Sequence, residues 1–191
     1  MRNSILLLIL AVVISGAYSC ARPKGNDAET KRAYVLNMKD QTLAELYKKK
    51  PEAKTIVENA AGYGVFSNFN TQLLIIGSGN GYGVVINNST GDKTYMEMAE
   101  GGIGLGVALK DFREVIVFVN KTTLHEFVKS GWNFGVQGDA ALQSDDKGGA
   151  VTGEVPLDSD VIIYQITKSG IALRTNIGAS KYWIDSELNY Y

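Results

Sequence analysis

The chain of 191 residues contains one cysteine and one histidine, and these two shortages exclude several kinds of protein. A single cysteine cannot form an internal disulfide, so the fold must be stabilised by packing. A single histidine excludes histidine-rich metal sites and argues against a Ser-His-Asp triad. His125 lies in TTLHEFVKSG, whose apolar spacing predicts a short helix with the histidine on its surface. These shortages argue against a hydrolase that uses His125 or the paired aspartates Asp145 and Asp146, and we expect no bound metal or cofactor.

The chain also lacks an excess of positive charge. It has 19 Lys and Arg against 20 Asp and Glu, a formal net charge of −1. Proteins that bind nucleic acid draw most of their affinity from basic residues that contact phosphates. We therefore expect no nucleic-acid partner.

An apolar run near the N-terminus is too short to form a permanent membrane span. It extends from Ile5 to Ile14, follows Arg2, and is followed by the small residues of positions 15–17. A transmembrane helix needs about 20 apolar residues, whereas a cleavable signal peptide has this shorter layout. The pattern predicts a signal peptide over residues 1–19.

Cys20 directly follows that segment and is the predicted lipid anchor. Ala17-Tyr18-Ser19-Cys20 resembles a lipoprotein processing box, although the leucine usual at its first position is missing. An ordinary signal peptidase would cut the same bond, so plain secretion is the alternative. An exposed, unpaired thiol is easily oxidised, and acylation with palmitate or a similar chain removes that liability. We expect a bacterial lipoprotein, held at the periplasmic side of the outer membrane.

The remaining chain is long enough for one domain, over residues 28–191, behind a polar tether at residues 20–27. Residues 28–61 have helical spacing. Asn26 and Glu29 stand at capping-box positions, Pro51 suits the first turn of a second helix, and Gly62 would end it. The inward residues of the two helices are expected to be Leu36, Leu43, Leu46, Tyr47, Ala53, Ile56, Val57 and Ala60.

From Tyr63 onward the pattern changes to short strands with short turns, such as residues 89–92 and 168–170. This predicts an α+β fold in which N-terminal helices pack on a strongly curved, mainly antiparallel β-sheet or barrel. The expected strands are YGVFSNF, QLLIIGSG, YGVVINN, KTYMEM, GIGLGVAL, EVIVFVN, WNFGVQGDAAL, GAVTGEV, DVIIYQIT and GIALRTNIGAS.

Two rows of glycines recur at a spacing of two, which places each row on one face of a strand. Such a bare face indicates sharp bending or the close approach of a backbone or a bulky ring. A phosphate-binding loop is the alternative, but neither row has G-x-G-x-x-G opening a helix or the G-K-[ST] element. The rows are Gly77, Gly79, Gly81, Gly83 and Gly102, Gly104, Gly106.

Several segments in this order resemble the SYLF domain family, from about Leu43 to Tyr191. KKPEAKTIVENAAGYGVFSNF is similar to the family's helix, alanine-glycine turn and aromatic strand, with Ser67 in place of the usual proline. WNFGVQGDAAL and the ending VIIYQITKSGIALRTNIGASKYWIDSELNYY also resemble family segments. The resemblance implies a non-catalytic, lipid-binding module whose partner is membrane phospholipid.

A lysine cluster is the candidate for lipid head-group contact. Lys48, Lys49, Lys50 and Lys54 lie at the predicted junction of the two helices, with Glu45 and Glu52 diluting their charge. Together they can attract an anionic membrane, or they can simply oppose the helix dipole.

Two other modes of binding stay open from the sequence. An apolar cavity inside the sheet, bounded by Phe66, Trp132 and Phe134, could hold lipid instead. The glycine-rich sheet could also bind a protein partner, which would make the chain a structural or assembly protein of the envelope.

Overall fold

The computed structural model describes residues 22–73, 76–103, 112–131, 133–134, 160–167, 170–174 and 179–189. Within them the chain is an α+β domain of helices and one antiparallel sheet, as predicted. Cys20 and the predicted signal peptide lie outside the described residues. The helices are α1 (Ala28–Lys49), α2 (Glu52–Asn59), α3 (Lys121–Ser130) and α4 (Ser186–Asn189).

The described strands pair in the order β5-β8-β3-β2-β1-β4-β6-β7, and all of these pairings are antiparallel. Over the residues described, β5 and β7 form the two edges, so the sheet is open. The strands are β1 (Gly62–Leu73), β2 (Ile76–Asn87), β3 (Lys93–Ile103), β4 (Phe112–Phe118), β5 (Asn133–Phe134), β6 (Val161–Thr167), β7 (Gly170–Arg174) and β8 (Ala179–Ile184).

The N-cap of α1 lies one residue later in the sequence than expected. Asp27, rather than Asn26, is the N-cap, and its Oδ1 accepts a hydrogen bond from the backbone N–H of Thr30 over 2.8 Å. The Thr30 hydroxyl in turn accepts from the Asp27 N–H over 3.3 Å. Hydrogen bonds from the Thr30 N–H and then its hydroxyl lower the pKa of the Asp27 carboxyl. At the C-terminal end of the two N-terminal helices, α2 ends at Asn59. Gly62 is therefore the first residue of β1 and does not end a helix.

One face of the sheet packs against α1 and α2, and we call it the α1 face. Adjacent strand residues point to opposite faces, so Val65 lies on this face while Phe66 lies on the other. The expected inward residues of both helices are buried or half-buried here. The fully buried residues of the α1 face include Val35, Leu46, Ala53, Val65, Val84, Val115 and Val117.

The opposite face, which we call the α3 face, packs against α3. Leu124 and Phe127 of that helix are buried and Val128 is half-buried, while His125 is exposed, as predicted. The face is rich in rings: Phe66 lies edge-on to Phe127 and Tyr182, with centroids 6.1 and 4.9 Å away. Because both faces carry apolar side chains, β4 is buried at six of its seven positions.

The sheet curls around the α3 face. Tyr182 of β8 donates a hydrogen bond from Oη to Oε1 of Glu114 in β4, over 2.5 Å. Four inter-strand steps separate these strands, which is about 19 Å on a flat sheet. That distance exceeds what a tyrosine and a glutamate side chain can span together. The contact can therefore form only if the sheet is strongly curved, as the sequence predicts.

The first glycine row leaves room for the aromatic rings that pack on the α3 face of the curled sheet. A Cβ on Gly83 would collide with the Phe66 ring and the Val65 carbonyl oxygen, and one on Gly81 would collide with the Ser67 carbonyl oxygen. The expected close approach is thus confirmed at these two glycines. In the second row, Gly104 and Gly106 lie outside the described residues.

The strand boundaries differ from the expected ones around the first hairpin. QLLIIGSG is not a strand of its own, because residues 72–73 end β1 and residues 76–79 begin β2. The apolar run there hid the break between the two strands; residues 74–75 lie outside the described residues. Residues 102–103 likewise end β3, and WNFGVQGDAAL contributes only β5 to the described sheet. GAVTGEV lies outside the described residues.

The last described helix fixes the beginning of α1. Lys31 Nζ contacts Oε1 of Glu187 over 2.5 Å, and Arg32 Nε donates to the carbonyl oxygen of Leu188 over 2.8 Å. Asp185 caps α4 by accepting from the N–H groups of Glu187 and Leu188. The N-terminal end of α1 is therefore held at the same end of the sheet as α4.

Candidate functional site

The four predicted lysines lie together where α1 turns into α2, and we call them the lysine patch. Pro51 disfavours a helical conformation at the residue before it, and Lys50 accordingly has φ −138° and ends α1. The Lys50 N–H donates to the Leu46 carbonyl over 2.7 Å, and the Lys50 carbonyl accepts from the Ala53 N–H over 3.1 Å. Both hydrogen bonds fix the backbone of the turn, so the patch stands on a rigid base.

Buried neighbours direct the lysines outward. Leu46 and Ala53 are fully buried against the sheet, on either side of the turn. Lys48, Lys49 and Lys54 are exposed, and Lys50 is half-buried. The patch therefore presents its ammonium groups to solvent.

Two of the four lysines are neutralised by glutamates on their own helices. Lys49 Nζ lies 2.7 Å from Glu45 Oε1, and Lys54 Nζ lies 3.8 Å from Glu58 Oε1, both at i,i+4 spacing. The expected dilution by Glu45 is confirmed. Glu58 was not among the expected glutamates; it forms an ion pair with Lys54 because it lies one helical turn away.

The other two lysines have no such partner. Across the residues that the structure describes, neither Lys48 nor Lys50 forms an ion pair or a side-chain hydrogen bond. An ammonium group without a protein partner can bind an anion without first breaking a contact. The patch thus contains two available cations and two that are already compensated.

Tyr47 stands beside the patch with its ring half-buried. Burial, followed by the nearby Tyr63 and Glu58, raises the pKa of its phenol to about 12. Tyr47 therefore stays neutral at physiological pH and does not reduce the positive charge of the patch.

The predicted apolar cavity is not supported at the one lining residue whose side chain is described. Phe66 is fully buried and packs against Phe127, Tyr182 and the bare backbone of Gly83. Its ring therefore lies against protein atoms on these sides, not against an open cavity. The side chains of Trp132 and Phe134 lie outside the description.

The glycine-rich sheet offers little open surface along β2. Gly79, Gly81 and Gly83 are buried. These three glycines are therefore not available to a protein partner; the burial of Gly77 and Gly102 is not described, and Gly104 and Gly106 lie outside the described residues.

Sequence reasoning missed the buried pair of Glu114 and Tyr182. Both side chains are almost fully buried, at 0% and 1% exposure. The one available signal was a glutamate in the apolar strand FREVIVF, on the same face as Ile116 and Phe118. A charged residue in that position indicates a buried partner but does not identify it.

The chain is similar to a known bacterial protein over most of its length. The chain is 32% identical over 161 residues to Beta cell expansion factor A of Aeromonas veronii. The match covers 84% of this chain and 60% of that relative, so the chain spans less than two thirds of the relative's length. A scan against models of protein families gives no match.

The helices of the described residues are not membrane spans. α1 is the longest of those described, at 22 residues, but it carries many charged residues along its length. No helix in the described part of the chain is both long and apolar enough to cross a bilayer.

Proposed function

We propose that this chain is a non-enzymatic, lipid-binding domain of the SYLF family that binds anionic phospholipid at the bacterial cell envelope. The observation that carries the proposal is the lysine patch, with four lysines between positions 48 and 54 on a rigid turn. A basic residue near an anionic membrane contributes about 1 kcal/mol of binding free energy. The two lysines without partners would then contribute about 2 kcal/mol.

The order of structural elements supports membership of the SYLF family. The segment that resembles the family's helix, alanine-glycine turn and aromatic strand folds as α2, the turn at residues 60–61, and β1. Phe66, in the aromatic strand, packs on the glycine row that follows it. The resembling segments thus contact one another within one sheet.

The alternative role of the lysines, as partners of the helix dipole, does not exclude lipid binding. Lys48 and Lys49 lie in the last turn of α1, where a cation stabilises a helix by about 0.3–1 kcal/mol. That interaction leaves the exposed ammonium groups in solvent. They can therefore serve both purposes.

We further propose that the domain is exported and anchored to the outer membrane through a lipid on Cys20. The support is the apolar N-terminal run followed by the box that ends in Cys20.

The tether that follows Cys20 in the sequence leads into the start of α1, and the lysine patch lies at the other end of that helix. At 1.5 Å per residue, the 22 residues of α1 separate the tether from the patch by about 33 Å. When α1 lies along a membrane surface, both ends of the helix can contact that membrane.

Vesicle flotation of the protein lacking residues 1–20 tests lipid binding without the anchor. We expect binding to vesicles that contain phosphatidylglycerol, and loss of binding when all four patch lysines are changed to glutamine. A control variant with the same charge change, at the exposed Lys93, Lys121, Lys129 and Lys181, should retain most of it. Equal losses in both variants would show that the patch has no special role. Absence of binding by the unmodified domain would favour the envelope-assembly hypothesis.

A further inference from the structure

The ion pairs of the lysine patch divide it into two functional halves. Resting on the proposed function, we infer that Lys48 and Lys50 hold the phosphate of an anionic phospholipid head group. Lys49 and Lys54 are occupied by Glu45 and Glu58 and take no direct part.

The division follows from the ion pairs that each ammonium group must break when it binds a phosphate. Lys49 has Glu45 one turn before it, the favourable order for an i,i+4 pair, with a short contact of 2.7 Å. A phosphate at Lys49 would have to displace this carboxylate and would be repelled by it. The pair of Lys54 and Glu58 is longer, at 3.8 Å, and more exposed, so Glu58 offsets the charge of Lys54 but binds it less tightly.

Lys48 and Lys50 face no such competition, and they differ in how firmly they are placed. Lys48 is exposed in the last turn of α1. Lys50 is half-buried, and its backbone is held on both sides by the hydrogen bonds to Leu46 and Ala53. A long side chain with a packed stem loses less conformational freedom when its ammonium group binds an anion. Lys50 is therefore the better-placed of the two cations.

Two separate cations can bind a membrane surface more strongly than they can bind a single free phosphate ion. Lys48 and Lys50 are two positions apart, with Lys49 between them, and lie at the end of α1. A bilayer containing anionic lipid supplies several phosphodiester groups in a plane, so each ammonium group can find its own. The chemistry recognised at each lysine is the phosphate, and its arrangement in a surface supplies the affinity.

The decisive comparison uses two variants of the anchor-free protein that each remove two patch lysines. The first is Lys48→Gln with Lys50→Gln. The second is Lys49→Gln and Lys54→Gln combined with Glu45→Gln and Glu58→Gln, which leaves the net charge unchanged. Binding is measured by flotation with vesicles of phosphatidylcholine containing phosphatidylglycerol, and with phosphatidylcholine alone. Thermal unfolding monitored by circular dichroism establishes that both variants fold.

We expect the first variant to bind the anionic vesicles about thirty-fold more weakly than the unmodified protein. The second should bind within about three-fold of it, because only compensated lysines are lost. Inorganic phosphate at millimolar concentration should not compete. Equal loss in the two variants, or competition by phosphate alone, would overturn the inference while leaving lipid binding in place. Failure of the unmodified protein to bind any vesicle would instead remove the proposed function itself.

Discussion

The ring of Phe66 occupies the space where Gly83 would carry a side chain. The two residues are directly paired across β1 and β2, and a Cβ built on Gly83 would also meet the Val65 carbonyl oxygen. The ring then lies edge-on to Tyr182 on the far side of the curled sheet, with centroids 4.9 Å apart. A missing side chain on one strand thus creates room for the aromatic centre of the α3 face.

We predict that Gly83→Ala destabilises the domain by about 1–3 kcal/mol, the usual cost of overpacking. Gly64→Ala should cost less, because its Cβ would meet only side-chain atoms, the nearest being Phe66 Cε2 at 2.8 Å. Urea unfolding measures both free energies. Equal stability of the Gly83 variant and the unmodified domain would contradict this view of the glycine row, as would a larger loss for the Gly64 variant.

Tyr182→Phe tests the hydrogen bond that spans the curled sheet. Removing the hydroxyl removes the hydrogen bond that Oε1 of the buried Glu114 accepts over 2.5 Å. We expect the free energy of unfolding to fall by about 1–3 kcal/mol. The matched control is Tyr63→Phe, a half-buried tyrosine of the α1 face, which should change stability by less than about 0.5 kcal/mol. Similar losses in both variants would mean that this hydrogen bond contributes little.

The buried and half-buried tyrosines predict a loss of stability at alkaline pH. Burial raises the pKa of Tyr63, Tyr82 and Tyr164, and that of Tyr47 reaches about 12 against 10.0 in the unfolded chain. A phenol with a higher pKa in the folded state stabilises the fold fully below pH 10. The contribution disappears as the pH rises through 12, because the unfolded chain loses its proton first.

The free energy of unfolding should therefore fall between pH 10 and pH 12. The fall should be smaller in Tyr47→Phe, which removes one of these phenols. Urea unfolding at a series of alkaline pH values measures both curves. Curves of identical slope for the variant and the unmodified domain would show that Tyr47 is not perturbed by its surroundings.

Cys20→Ala tests the proposed anchor. If Cys20 is acylated, the variant should move from the membrane fraction to the soluble fraction of the bacterium, because anchoring of this kind depends on the lipid chains. Mass spectrometry of the mature N-terminal peptide provides the direct measurement. An unmodified cysteine in protein recovered from the soluble fraction would refute the lipoprotein proposal.

Local features of the fold could be read from the sequence because neighbouring residues determine them. The turn at Pro51 and the amphipathic pattern of α3 both depend on positions within one or two helical turns. The ion pair of Lys54 and Glu58 could also have been read in this way, from its i,i+4 spacing. The N-cap of α1 was assigned to Asn26 and not to Asp27 because both are good capping residues, and only Asp27 has Thr30 three positions later.

Long-range features could not be predicted in the same way. Glu114 and Tyr182 are 68 positions apart, and nothing near either residue identifies the other. The curl that joins them depends on the glycines of β2, on Phe66 and on the order of the strands together. The glycine spacing indicated a close approach, but the approaching ring became identifiable only from the pairing of β1 with β2.

Flotation of the anchor-free domain with vesicles of graded charge tests the central claim most directly. The account predicts binding that increases with the fraction of phosphatidylglycerol. It also predicts weaker binding as salt rises, because exposed charges are screened beyond about 10 Å at 0.1 M ionic strength. Vesicles of phosphatidylcholine alone should not bind. Binding that is the same on charged and neutral vesicles, or that persists unchanged in high salt, would contradict recognition of anionic lipid by the lysine patch.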